Sequence, residues 1–105
     1  MTRVTLVESR GGRCRLRAVG EFDRDNCDQF GAATRVALSA YCAELVVDLA
    51  EATFVDAATT RALLECYEHA ATYGCQLRIV NTSGVVARVL ELCDARRALL
   101  SPAGR

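Results

Sequence analysis

Apolar and polar residues alternate with period two in two early stretches of the chain. Over residues 2–8 the alternation is weak. Over residues 13–19 it is clean, with Cys14, Leu16 and Ala18 on one side and Arg13, Arg15 and Arg17 on the other. Between the two lies Arg10-Gly11-Gly12-Arg13, where paired glycines supply positive φ at little cost. The pattern predicts a β-hairpin with one buried and one solvated face. The three arginines of the solvated face are an ordinary sheet surface or, on the alternative reading, a site for an acidic partner.

The period then changes to 3.6. Cys27, Phe30, Thr34, Ala37, Leu38 and Tyr41 recur at steps of three and four, predicting a helix over residues 24–42 with Asp23 or Asp25 as its cap. Residues 44–49 carry Leu45, Val46, Val47 and Leu49, the near-continuous apolar text of a central strand parallel to a later one. A short connection and a second apolar pair, Phe54-Val55, deliver Asp56. A second helix is predicted over residues 57–73, turning Ala62, Leu63, Cys66, Tyr67 and Ala70 inward, with Gly74 as its C-cap. The next strand spans residues 75–81 on Leu77, Ile79 and Val80. Ser83 caps a third helix over residues 84–93 that buries Val85 or Val86, Val89 and Leu90, and Asp94-Ala95 closes it. Residues 97–100 read as a short last strand, and 101–105, with Pro102 and Gly104, as a frayed tail. The order is β-β-α-β-α-β-α. Right-handed crossovers then predict an α/β domain: a mixed four- to five-stranded sheet with helices packed mainly on one face.

Composition narrows the function. At 105 residues, 51% hydrophobic and 25% charged, the chain is expected to be a single domain over residues 1–105 with a modest core. A formal net charge of zero removes the bulk electrostatic case for nucleic acid or an anionic membrane as partner. Met1-Thr2-Arg3 runs into strand-like text without a leader, and no run approaches the roughly 18 apolar residues of a spanning helix. A cytoplasmic protein without membrane insertion is the expectation. Cys14, Cys27, Cys42, Cys66, Cys75 and Cys93 form no C-x-x-C pair, and His69 has no partner at ligand spacing. No metal is therefore expected, and the cysteines read as buried small hydrophobes in a reducing compartment. The chain has no Gly-rich phosphate loop, no Ser/His/Asp set and no nucleotide fingerprint, which speaks against an enzyme.

The start of the second helix holds the most specific text. Ala57, Ala58, Thr59 and Thr60 fall where free backbone N–H groups and the helix dipole favour an anion, and Asp56 stands where a carboxylate caps the helix. The stretch ELVVDLAEATFVDAATTRALL, residues 44–64, resembles the signature of STAS domains, the family of the anti-sigma-factor antagonists. The family's usual text is two hydrophobics, Asp-Leu, five residues, a hydrophobic, then Asp-Ser-Ser-Gly-Leu. Asp48 and Asp56 keep their places; the two serines read Ala57 and Ala58, and the glycine reads Thr59. Gly20-Glu21-Phe22-Asp23 loosely resembles the family's glycine, two hydrophobics and Asp, with Glu21 off pattern.

The resemblance implies a STAS-type fold over most of the chain, no enzymatic activity and no cofactor. It implies an antagonist that binds an anti-sigma factor of the histidine-kinase-like ATPase fold and so releases a sigma factor. The second serine is the family's phosphate acceptor, so Ala58 stands at that position with no hydroxyl and the serine switch is absent. Thr59 and Thr60 are the possible substitutes, in the first helical turn where exposure is open to them, but one residue of displacement on a helix rotates a side chain by about 100°. The implied partner-binding residues are Asp23, Asp56, Ala57, Ala58, Thr59, Thr60 and Arg61, with Thr82, Ser83 and Arg88 on the neighbouring loop and third helix. A weak homodimer is compatible with this reading. The alternative is a structural subunit, a STAS domain docked on a transporter ATPase or within a stress-signalling assembly.

Overall fold

Strand β1 (Arg3–Arg10) turns at Gly11 and Gly12, at φ 59° and 81°, into the antiparallel strand β2 (Arg13–Phe22). The structure is a computed structural model, and it describes residues 2–92. The predicted last strand over 97–100, the closure at Asp94-Ala95, Cys93 and the tail over 101–105 lie outside the described residues.

After the hairpin come helix α1 (Asp28–Ser39), strand β3 (Glu44–Val55), helix α2 (Ala57–Ala71), strand β4 (Gln76–Val80) and helix α3 (Gly84–Leu92). The sheet order among the described residues is β1-β2-β3-β4, antiparallel at the first pairing and parallel at the next two. This is the expected mixed α/β sheet. Two successive parallel crossovers of the usual right-handed kind carry α1 and α2 over the same side of the sheet. That side is the core: Cys14, Leu16, Ala18 and Phe22 of β2 and Leu45, Val47 and Leu49 of β3 meet Phe30, Ala37, Leu63, Ala70 and Leu90 from the helices.

Several boundaries differ from the sequence pattern for local reasons. Helix α1 starts late because residues 23–27 form a separate hydrogen-bonded turn. Asp23 Oδ1 accepts from the Asp25 N–H at 2.9 Å, and the Asp23 carbonyl accepts from the Cys27 N–H at 2.9 Å. Cys27 takes the N-cap position with no side-chain cap bond, so neither Asp23 nor Asp25 caps α1. The helix ends at Ser39 because Ala40 is extended, and this breaks the predicted buried stripe before Tyr41. Tyr41 is 79% exposed and lies over the hairpin turn, where a Cβ on Gly12 would come within 2.8 Å of its ring. The predicted connection after Leu49 is instead strand. β3 continues to Val55 by absorbing two extra residues against β2, between Asp48 and Glu51 and between Ala52 and Phe54.

The other side of the sheet carries ion pairs. Arg13 and Arg78 bind the two oxygens of Glu44 at 2.9 and 3.0 Å, Arg15 binds Asp48 at 2.9 Å, and Arg17 reaches Glu51 at 3.8 Å. Val46, between Arg15 and Arg78 in the register, is buried on this side. Covering by the arginine stems accounts for that. The three arginines of β2 are thus engaged with carboxylates of β3, which weakens the alternative of an acidic partner there.

Candidate functional site

The site is built where three strands deliver their C-terminal ends to the same rim. β3 arrives with Val55 buried and Phe54 40% exposed, so the last apolar pair of the strand is split between core and surface. Asp56 follows in an extended conformation, φ −117° and ψ −174°, and caps α2. Its Oδ1 accepts from the Thr59 N–H at 2.8 Å and from the Thr59 hydroxyl at 2.9 Å. Its carbonyl accepts from the Thr60 N–H at 3.0 Å and from the Thr60 hydroxyl at 3.1 Å. One acidic residue therefore engages both threonines of the first turn through backbone and side chain.

Burial completes the arrangement. Thr59 is 0% and Thr60 1% exposed, whereas the sequence left both open to exposure. The packing of α2 sets this: Thr59 and Thr60 fall on the helix face that carries Leu63, Cys66 and Ala70 into the core. Ala57 is exposed and Ala58 half-buried. The positions that reach the surface have no hydroxyl, and the hydroxyls beside them are enclosed. Arg61 is exposed one turn further along.

The loop ahead of α1 closes on the same point. Burial alone raises the Asp56 pKa, but hydrogen bonds from the Thr59 N–H and hydroxyl, then from the backbone N–H of Arg24, outweigh it and leave the carboxyl below its ordinary range. Cys27 reaches the carbonyl of Ala58 at 3.9 Å. Residues 23–27 are thereby tied to the start of α2, and Asp23 stands exposed on that loop. The sequence signal for Asp23 was the loose match at residues 20–23; for Arg24, acting through its main chain, there was none.

The loop after β4 is anchored by a second carboxylate. Asn81, in the left-handed region at φ 62°, donates its amide to Asp48 Oδ1 at 2.9 Å. The same oxygen takes the N–H of Ala50 at 2.9 Å, which the extra residue in β3 frees from the ladder. Arg15 binds the other oxygen. Burial pushes the Asp48 carboxyl up, and the bonds from Asn81, Ala50 and Arg15 more than reverse this, so its pKa is lowered. Asp48 is thus a structural anchor that sets the path of residues 81–83. Thr82 is half-buried, Ser83 and Arg88 are exposed, and the Ser83 carbonyl accepts from the Ala87 N–H at 3.3 Å as α3 begins. Val85 is exposed in the first turn of α3, with Val86 and Leu90 buried.

Among the described residues no group of three or more His, Cys, Asp or Glu could hold a metal ion, and no helix is long and apolar enough to cross a membrane. A groove of about 290 Å³ between α1 and α2 is lined by Cys27, Asp28, Thr34, Arg35, Cys66 and His69, among others. Its deepest thiol, Cys66, is pushed up in pKa by burial, away from the thiolate that a cysteine nucleophile requires.

The sequence matches the family described as "Mlab, STAS domain" over residues 5–101. No curated protein matches it. Among solved structures, an anti-sigma factor antagonist from Mycobacterium paratuberculosis is 19% identical with a TM-score of 0.76, covering 94% of this chain and 81% of that one. The phosphorylated form of the Bacillus cell fate determinant SpoIIAA is 14% identical with a TM-score of 0.66, covering 95% and 89%. The murine Solute Carrier 26 family member A9 anion transporter is 18% identical with a TM-score of 0.68, and the match covers 85% of this chain but 16% of the transporter. At these identities the likeness is one of fold.

Proposed function

The chain belongs to the STAS domain family, and from that premise we propose that it is a non-enzymatic binding module of the anti-sigma-factor-antagonist type, active without a serine switch. Its partner is an anti-sigma factor of the histidine-kinase-like ATPase fold, and binding releases a sigma factor. The contact surface is the rim around the start of α2: Asp23, Asp56, Ala57, Ala58 and Arg61, joined by Thr82, Ser83 and Arg88. Exposed Phe54 and Val85 add apolar area from β3 and α3.

The observation that carries this reading is the first turn of α2. It is ordered by the Asp56 cap, with alanine at the exposed position 57 and at the half-buried position 58. Phosphoryl transfer needs a hydroxyl, and a phosphate here would add nearly two negative charges beside Asp56. Ala57 and Ala58 accept none. Thr59 and Thr60, expected at the interface, are instead buried with their hydroxyls committed to Asp56, so they order the first turn rather than contact the partner. Binding is then constitutive and set by protein concentration, in the reducing interior of the cell.

A second reading has its own support. The likeness to one segment of an anion transporter shows that this fold also serves inside transport proteins. On that reading the chain is a structural subunit docked on a transporter ATPase or in a stress-signalling assembly, and the same rim would be its dock.

Affinity capture from native lysate, with wild type and Asp56→Ala compared by mass spectrometry, tests the proposal. Capture of a histidine-kinase-like ATPase by wild type, reduced at least tenfold by Asp56→Ala, supports the antagonist reading. Capture of permease or transporter-ATPase subunits instead supports the second. Equal capture by both proteins removes the α2 rim as the contact surface.

A further inference from the structure

Residues 42 and 75 are 33 apart in sequence, yet the fold sets the two sulfurs 3.3 Å from each other in a buried position. Cys42 lies just ahead of β3 and Cys75 just ahead of β4. Their surroundings are fixed by the main chain. Gln76 N–H donates to the Ala43 carbonyl at 3.0 Å, and the N–H groups of Ala43 and Glu44 donate to the Gly12 carbonyl at 2.7 and 3.1 Å. The Cys42 sulfur also lies 3.4 Å from the Glu44 carbonyl, and either thiol can donate across the Cys42–Cys75 contact. A third thiol, Cys14, is nearby on β2 and donates to Ser9 at 3.6 Å. Spacing in the sequence forms no thiol pair; the parallel pairing of β3 with β4 makes one.

We propose that Cys42 and Cys75 are an oxidisable dithiol that closes to a disulfide under peroxide, tying the entry of β3 to the entry of β4. Two S–H bonds break and one S–S bond forms. The two electrons and two protons pass to hydrogen peroxide, which leaves as two waters. The sulfurs must close by a little over 1 Å to reach the bonded distance of about 2.05 Å. With the main chain beside them hydrogen-bonded, rotation of the two cysteine side chains must supply that movement. Burial raises the pKa of both thiols, so the pair is protonated and slow to react at neutral pH, and quickens as pH rises.

The location decides the effect. Cys42 precedes the first residue of β3, and Asp56 follows its last, so the bridge forms at the opposite end of the strand from the α2 rim. Oxidation therefore stabilises the domain by shortening the unfolded chain's free loop, and leaves partner contact unchanged.

The test uses fully reduced wild-type protein, exposed to hydrogen peroxide at pH 7 and pH 9, alkylated, digested and mapped by mass spectrometry. The expected product is a linked pair of peptides with fragmentation placing the bridge at Cys42 and Cys75, formed faster at pH 9. The melting temperature should rise by about 10 °C and return with dithiothreitol. Cys75→Ala should show no rise after the same treatment; if that variant does not fold, the wild-type map decides alone. Bridges joining Cys42 to Cys14 instead, or Cys42 and Cys75 both still alkylated after Cys27 is fully oxidised, would overturn the proposal.

Discussion

Asp56 Oδ1 takes two hydrogen bonds from one residue, the N–H of Thr59 at 2.8 Å and its hydroxyl at 2.9 Å. The contact that begins α2 also removes the nearest hydroxyl from the surface. Thr59→Val keeps the shape and the N–H bond and loses only the hydroxyl bond, at a cost of about 1 kcal/mol. Asp56→Ala loses the cap and strands the buried Thr59 hydroxyl, costing about 2 kcal/mol. Urea denaturation of the two variants should give that order, and the reverse order would contradict the cap geometry.

The carboxyls of Asp48 and Asp56 both titrate below their ordinary value, since hydrogen bonds to the charged form outweigh burial. A lowered folded pKa means that the unfolded chain binds more protons through this range. The stability these groups contribute is therefore complete above the unfolded carboxyl value of about 3.9 and is lost as pH falls through the lower folded values. Stability measured from pH 6 to pH 2 should drop steeply in wild type. The drop should be shallower in Asp48→Asn and in Asp56→Asn.

Asp48 joins three elements: Arg15 of β2, the Ala50 N–H freed within β3, and Asn81 after β4. Asp48→Ala leaves all three without their acceptor and should cost about 3 kcal/mol. Asn81 separates two contributions. Asn81→Gly keeps φ at 62° accessible and loses the amide bond, about 1 kcal/mol, whereas Asn81→Ala adds the left-handed penalty and should cost about 2 kcal/mol. Equal costs for the two would show that the backbone conformation at Asn81 is unstrained for alanine.

Gly12 sits at φ 81° beneath the Tyr41 ring. Gly12→Ala must pay both the positive-φ penalty and displacement of that ring, and should lower stability by about 2 kcal/mol. Gly11→Ala, with no atom near its added Cβ, carries only the first and should cost about 1 kcal/mol. Thermal melts of the pair resolve the difference.

The order of elements was legible in the sequence because each strand and helix carries its own period. Cys14, Leu16 and Ala18 alternate, and Leu63, Cys66 and Ala70 recur at helical steps; the structure buries all six. What could not be read depended on contacts between distant segments. The continuation of β3 through residues 50–53 rests on pairing with β2 and on Asp48 taking up the Ala50 N–H, neither of which leaves a mark on periodicity. The end of α1 before Tyr41 rests on Ala40 turning extended and on the place that the Gly12 turn offers the ring. At the site, Asp56 was legible from its position ahead of a helix. The burial of Thr59 and Thr60 was not, because a threonine in a first helical turn is compatible with either face.

The absence of a phosphorylation switch is the central claim, and phosphopeptide mapping after incubation with the captured anti-sigma kinase and ATP tests it most directly. The comparison is between wild type, Ala58→Ser, and Ala58→Ser combined with Thr59→Gly. Wild type should carry no phosphate, one or both serine variants should carry phosphate on residue 58, and partner binding of wild type should be unchanged by ATP. Stoichiometric phosphate on Thr59 or Thr60 of the wild-type protein would contradict it.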